Sequence, residues 1–422
     1  MYLIETLQKN LKKSNILYFI ISSIIIFTTI YSKFLYNIYL HPIEMINSKG
    51  DMEIILFGDF KYLFKIINCN NLGFDVYSSN DCYKDYYGSF LYGPLILIFP
   101  SISNEFSIFI TYFLSTGLIL SFIFLTIKMI NPDNLLKYLL TSLILFNPTT
   151  LFLYEKLNID ILIYIFLIIT VYYTRNILIK FLIVSCLTLI KFYPIVFIGI
   201  FLIENKIKKK NIIYFFSSLS LFFLFIYIFW ENLISISATL EYVSQSFRYS
   251  FSLNTLSKII NHILNPDNKT LVKIILIFIN ILIAFLLYNF YLYRNLNHIK
   301  INFDKNDKMF ILSSTLSVSL YLLFGNNFYR EIYLIGTIPF LLNNYKINFF
   351  RHILNLFIIK YIFLMIFFPY YYNANLNQDF MAQMLIGIKS LIDFIFIATL
   401  ISSLLFMIKV YYNNLITSIT EN

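Results

Sequence analysis

Long apolar runs broken by short polar ones organise this chain. Residues 16–30 read ILYFIISSIIIFTTI, and similar runs recur along the sequence. A helix needs about 20 mostly apolar residues to cross about 30 Å of hydrocarbon. On that measure the pattern predicts twelve crossings, at 15–37, 104–127, 138–153, 159–174, 177–190, 193–204, 211–230, 271–293, 309–324, 331–343, 352–369 and 385–408. The pieces 177–190 and 193–204 are too short to cross upright. Pro194, after Lys191, Phe192 and Tyr193, ends or kinks the helix before it. The two pieces are expected to form a hairpin that turns inside the protein, because irregular backbone at that depth must be buried in protein or line a cavity. The run at Ile16–Ile30 follows Lys12 and Lys13, as in a signal peptide, but no small-residue cleavage site comes after it. It reads as a retained first span. The expected fold class is an all-α polytopic membrane protein, 1–422 forming a single polytopic domain.

The period changes after the first run. Phe60, Leu63, Phe64 and Ile67 recur at i, i+3, i+4 and i+7, with Lys61, Lys65 and Asn68 on the other face. Such a helix lies in the membrane interface. It belongs to a polar first outer loop, 38–103; a second large outer loop is expected at 231–269.

Composition agrees: 59% of the chain is hydrophobic and 13% charged, whereas soluble domains carry about 25% charged residues. The net charge of +10 suggests a nucleic-acid partner until the charges are located. With the N-terminus in the cytoplasm, the cytoplasmic side carries 18 of the 32 basic residues and 6 of the 22 acidic ones, a net +12; the remainder of the chain nets −2. That asymmetry is the positive-inside signal and excludes a nucleic-acid footprint. It puts both termini in the cytoplasm and the polar loops outside, as in a bacterial inner (plasma) membrane. Every cytoplasmic loop is then short. No GxxxxGK[ST] or GxGxxG pattern offers a phosphate cradle. His41, His262, His298 and His352 lack metal-ligand spacing. No cofactor and no metal are expected, and any chemistry belongs to the outer face.

Five outer stretches could carry it. Asp59 follows Gly58 at the start of the amphipathic helix and reads either as an N-cap or as a carboxylate general base; Asp51 and Glu53 are the alternatives for the base. Glu155, Asn158 and Asp160 lie at the junction of two short spans, where ionised groups are costly and tend to be functional; the plainer reading is a solvated turn in which Lys156 neutralises Glu155. Lys191 reads as a snorkelling lysine or a cation for a phosphate. Asn327, Tyr329 and Arg330 lie in the polar turn GNNFYRE. Arg330 offers a planar fork suited to phosphate, or else an ion pair with Glu331. Arg248 and Ser250–Asn254 read as a solvated amphipathic segment. Cys69 and Cys82 share the first outer loop, where an oxidising compartment would allow a disulfide. Cys186 lies within a span.

In order and spacing, these stretches resemble the GT-C superfamily of multispan glycosyltransferases, and most of all glycosyltransferase family 87, the polyprenol-phosphate-mannose-dependent type. GDF, LGFDVY, FLYGPL, FNPTTLFLYEKLNIDILI, LIKFYPIV and GNNFYREIYLIGTIPFLL carry the resemblance over roughly 58–340. Val76 and Gly93 stand where the family's pattern has proline. The resemblance implies a GT-C-like fold and a polyprenyl-phosphate-linked sugar donor, mannose or a similar sugar, with a lipid or glycan acceptor. It implies Asp59 as the catalytic base, Lys191 and Arg330 as ligands of the donor phosphate, and Glu155, Asn158, Asp160, Asn327 and Tyr329 around the sugar or acceptor. Two other readings fit a polytopic, aromatic-rich, outward-facing chain. One is an O-antigen-type polymerase or ligase, which should have an arginine-bearing late outer loop. The other is a lipid or polysaccharide transporter, which should show internal repeats and polar residues at mid-membrane.

Overall fold

A computed structural model describes residues 2–31, 45–46, 52–53, 57–77, 92–203, 209–234, 251–264, 269–289, 303–323, 328–373 and 380–420. Apart from β1 (Met45–Ile46), paired antiparallel with β2 (Met52–Glu53), every regular element among them is helical. The residues fall into two compact units.

The first unit contains α1 (Tyr2–Tyr31), α2 (Gly58–Asn71), α3 (Asn104–Ile130), α4 (Leu135–Leu145), α5 (Pro148–Lys156) and the start of α6 (Asp160–Ile168). At 27 residues, α3 is about 40 Å long, enough to cross a bilayer. The break between α4 and α5 is written in Phe146-Asn147-Pro148. Proline at the first helical position cannot continue the preceding ladder, and Asn147 caps the new helix by accepting from the Thr149 N–H at 2.9 Å. The two helices meet at 45°. Asn147 is fully buried and also donates to the Tyr361 carbonyl at 3.2 Å. Helix α2 packs against α3 and α5 through Leu63, Ile66, Ile67 and Cys69. Its half-buried Asn68 exchanges two hydrogen bonds with the backbone of Ile102, at 2.8 and 2.9 Å.

The second unit contains α7 (Ile177–Ile190), α8 (Lys209–Ile228), α9 (Leu253–Leu264), α10 (Lys269–Leu287), α11 (Lys305–Leu323), α12 (Ile332–Ile335), α13 (Ile338–Asn343), the first half of α14 (Asn348–Asn373) and α15 (Phe380–Thr420). Helix α7 stops at Lys191, and the nine-residue 3-10 helix Tyr193–Phe201 folds back on it, also packing on α8 and α11. The expected short hairpin is present, with its break where Pro194 requires it. The segment around α9, expected to be a solvated amphipathic stretch, is helical from Leu253. However, Phe251, Ser252, Leu253, Thr255 and Ser257 are buried; Arg248 lies outside the described residues.

Helices α3, α8, α14 and α15 contain apolar stretches long enough to cross a membrane, and the bent pair α4–α5 makes a fifth if counted as one span. Shorter apolar helices run at Ser14–Ile30, Asp160–Tyr173, Ile177–Ile190, Leu271–Leu287 and Ile332–Asn343. The surface has the inverted polarity of a lipid-facing protein: α10 exposes Ile274, Phe278, Ile281 and Phe285. It buries Asn280, whose amide donates to the Phe394 carbonyl at 2.8 Å. The chain is thus a helical membrane protein with four to five full-length apolar helices and a set of shorter ones.

Candidate functional site

In the first unit, Asp59 is not the N-cap. Phe57 holds that position, with φ 60°, ψ 37° and no side-chain cap, and Asp59 sits in the first turn of α2. A phenylalanine in the left-handed region costs roughly 1–2 kcal/mol. What holds it is contact: the Phe57 N–H donates to the Glu155 carbonyl at 2.7 Å, and its buried ring meets Tyr112 edge to face. This strap brings the start of α2 against the turn after α5. There Leu157, also left-handed (φ 47°), closes α5 and reverses the chain into α6.

Asn158 bridges the two elements. Its amide nitrogen donates to Asp59 Oδ2 at 2.6 Å, and its amide oxygen accepts from the Asp160 N–H at 3.1 Å. Glu155 and Asp160 are both 0% exposed, and Lys156 Nζ lies 3.7 Å from Glu155 Oε1. The expected Lys156–Glu155 pair therefore exists, but in a buried turn, not a solvated one. Asp59, Glu155, Asn158 and Asp160 form one acidic constellation, with Asp59 the half-exposed member. In the first turn of α2, the Asp59 carboxylate lies at the positive end of the helix dipole, which favours its ionised form. The oriented amide of Asn158 fixes its rotamer. A carboxylate so held can accept a proton from a hydroxyl brought beside it.

In the second unit, Lys191 is 5% exposed at the C-terminus of α7. Its Nζ stands 5.0 Å from the centre of the Tyr92 ring and 5.5 Å from that of Tyr193. Arg330 Cζ stands 5.4 Å from the same Tyr193 ring. The Tyr193 and Tyr333 hydroxyls share a hydrogen bond of 3.0 Å. Two cations distant in sequence thus converge on one tyrosine, as cation–π attraction favours in a desolvated setting. Such a pair can bind a multiply charged oxyanion, Arg330 with its fork and Lys191 as a point charge.

Gly93 makes this arrangement possible. Its N–H donates to the Ile190 carbonyl at 2.7 Å, satisfying one of the orphan carbonyls at the end of α7. A Cβ built on it would lie 2.0 Å from the Leu189 carbonyl oxygen. Proline, which the resemblance leads one to expect here, has no N–H to donate. Glycine therefore lets Tyr92 dock beside Lys191.

The Arg330–Glu331 pairing considered from sequence is replaced by something larger. Glu331 is fully buried, with Oε2 3.0 Å from Lys360 Nζ and Oε1 3.4 Å from Lys389 Nζ. Asp393 completes a quartet, hydrogen-bonded to Lys360 and lying 2.8 Å from Lys389. Lys360 also stands over the Phe251 ring at 4.5 Å. Sequence reasoning missed Lys360, Lys389 and Asp393, although each interrupts an apolar span. That interruption was the available signal.

Asn327 lies outside the described residues, as do Asp51, Cys82 and the side chains of Tyr329 and Glu53. Cys69 is disulfide-bonded, and Cys186 is free and exposed. Among the described residues, no group of three or more His, Cys, Asp or Glu side chains could hold a metal. Comparison of the chain with models of known protein families, with curated proteins and with solved structures finds no match.

Proposed function

We propose that this membrane protein is a glycosyltransferase of the GT-C type that moves a sugar from a polyprenyl phosphate to a lipid or glycan acceptor at the non-cytoplasmic face. The observation that carries the reading is the meeting of Lys191 and Arg330 over Tyr193, an oxyanion site built from apolar and aromatic surroundings. Support comes from Asp59, half-exposed and oriented by Asn158, and from the disulfide at Cys69, which suits an oxidising compartment.

In this mechanism the acceptor hydroxyl oxygen attacks the anomeric carbon as a carboxylate base takes its proton, the role that the resemblance gives to Asp59. The bond from that carbon to the phosphate oxygen breaks, and the electron pair leaves with the polyprenyl phosphate. Lys191 and Arg330 stabilise the charge that develops there, where low dielectric strengthens each contact. The transition state has oxocarbenium character, and a single displacement inverts the anomeric centre. A lipid-linked donor needs no nucleotide site.

The test is a screen of purified protein in bilayers with mannose, glucose and arabinose on polyprenyl phosphate. Transfer from one of them is expected, with Asp59→Asn expressed normally but inactive. Transfer that persists in Asp59→Asn would move the base elsewhere, first to Asp51. A second reading, a transporter, is favoured by one observation: three of the four charges of the quartet, Lys360, Lys389 and Asp393, lie within long apolar helices. Movement of lipid-linked sugar across liposomes, with no transfer from any donor, would decide for it.

A further inference from the structure

Residues 313–321 of α11 read SSTLSVSLY, six hydroxyl side chains in nine residues of a buried helix. Ser313, Ser314 and Ser317 are fully buried and Tyr321 is 1% exposed. Among the described residues, none of these four side-chain oxygens has a hydrogen-bond partner. At about 100° per residue, the four lie within an arc of about 100° on one face of the helix. Thr315 lies off that arc and bonds as helical hydroxyls commonly do, donating to the Ile311 carbonyl one turn back at 2.7 Å. Buried polar atoms that find no protein partner are generally met by internal water.

One end of this face meets the charged quartet. The Tyr321 ring packs against Phe251 with centroids 5.2 Å apart, and Lys360 Nζ stands 4.5 Å from the centre of the same Phe251 ring. Asp393 lies within electrostatic reach of the Tyr321 hydroxyl. The other end is closed by aromatic rings. Phe310, fully buried, occupies the same arc one turn before Ser313; its ring lies 4.3 Å from that of Phe340, which meets Phe350 edge to face. Between the two ends, Ser313 and Ser317 are separated by a rise of about 6 Å, about twice the length of an O–H···O bond. One water between them can bond to both.

We infer that this face of α11 holds a short file of internal water molecules, which bonds to Ser313, Ser314, Ser317 and Tyr321 and hydrates the Glu331–Lys360–Lys389–Asp393 quartet from within the protein. The phenylalanine plug makes it a closed chain rather than an open pore. Buried charges offset their desolvation only when further hydrogen bonds complete their mutual attraction, and the file supplies such bonds. Hydration of the quartet serves a transferase and a carrier alike.

X-ray radiolysis of the full-length protein in bilayers tests this. Water held against a side chain is split into hydroxyl radicals that oxidise that side chain on the spot, and peptide mass spectrometry reads the added oxygen. Tyr321 should be oxidised despite its burial. Phe350, equally buried but beyond the plug, should stay unoxidised at the same dose once the intrinsic reactivities of the two rings are allowed for. Ser317→Val fills the space between the hydroxyls and should remove most of the Tyr321 label. Ser317→Ala leaves that space open and should keep it. If the valine variant fails to accumulate, Ser317→Thr adds one methyl group and should weaken the label in the same direction. A Tyr321 as inert as Phe350 in the wild type would overturn the proposal, because the hydroxyls would then be dry. So would equal labelling in the alanine variant and the bulkier one. The readout needs no sugar donor, so wild-type protein that transfers nothing counts against the transferase reading and leaves this result standing.

Discussion

At the scale of single residues, small polar side chains set the geometry of both constellations. Asn158 has one bond to Asp59 and one to the Asp160 backbone. A hydrogen bond to a charged group contributes about 1.5–3 kcal/mol. Asn158→Ala should therefore lower turnover about tenfold or more with little change in KM, since it disturbs the orientation of the base rather than donor binding. Steady-state kinetics with the preferred donor check this. Gly93 permits a second prediction. Ala has no room at 2.0 Å from a backbone oxygen, so Gly93→Ala should cost about 1–3 kcal/mol. Gly93→Pro should cost more, because it also removes the bond to Ile190. Thermal melts in detergent should give that order, with donor affinity falling in parallel as Tyr92 leaves Lys191. Asp59 and Lys191 were legible as candidates because a charge beside an apolar run is conspicuous. Their partners were not: Tyr92 and Tyr193 are two among 35 tyrosines in a chain rich in them.

At the scale of elements, the short breaks do the positioning. The Asn147-Pro148 break starts α5 at an angle to α4, which sends the buried turn 155–160 toward α2. Losing a side-chain N-cap costs about 1 kcal/mol, and Asn147→Ala also abandons the buried Tyr361 carbonyl. A drop in stability of about 2 kcal/mol or more is expected, measured by chemical denaturation in mixed micelles. The α7 break was readable from Pro194 and its direction was not. Proline says where a helix stops; the packing partners of Tyr193–Phe201 set where the chain goes next. The quartet gives a further prediction. Removing one member of a buried pair costs about 3–5 kcal/mol, whereas removing both is close to neutral. Lys360→Met should lower the melting temperature sharply, and adding Glu331→Gln should restore much of it.

At the scale of the whole molecule, the charge asymmetry of the loops predicts an orientation. Reporter fusions should place both termini in the cytoplasm and the 38–103 loop outside. An external reporter signal from the C-terminus would overturn that topology and the outer-face assignment with it. Lipid as solvent also explains the surface. Helices α8 and α10 expose Phe216, Leu224, Phe278 and Phe285, which in water would drive association.

Local physics already dictated the class of the protein, its apolar helices, the amphipathic helix after Gly58, the stop at Lys191 and the residues that could do chemistry. Each depends on the period or identity of near neighbours. Folding in three dimensions supplied the bond from Asn158 to Asp59, the sharing of Tyr193 by Lys191 and Arg330, and the four-membered ion cluster around Glu331. Each of those contacts joins residues far apart in the chain. Which of several equally eligible polar residues meet at such a distance depends on how helices pack, and the spacing of residues within a helix carries no record of that.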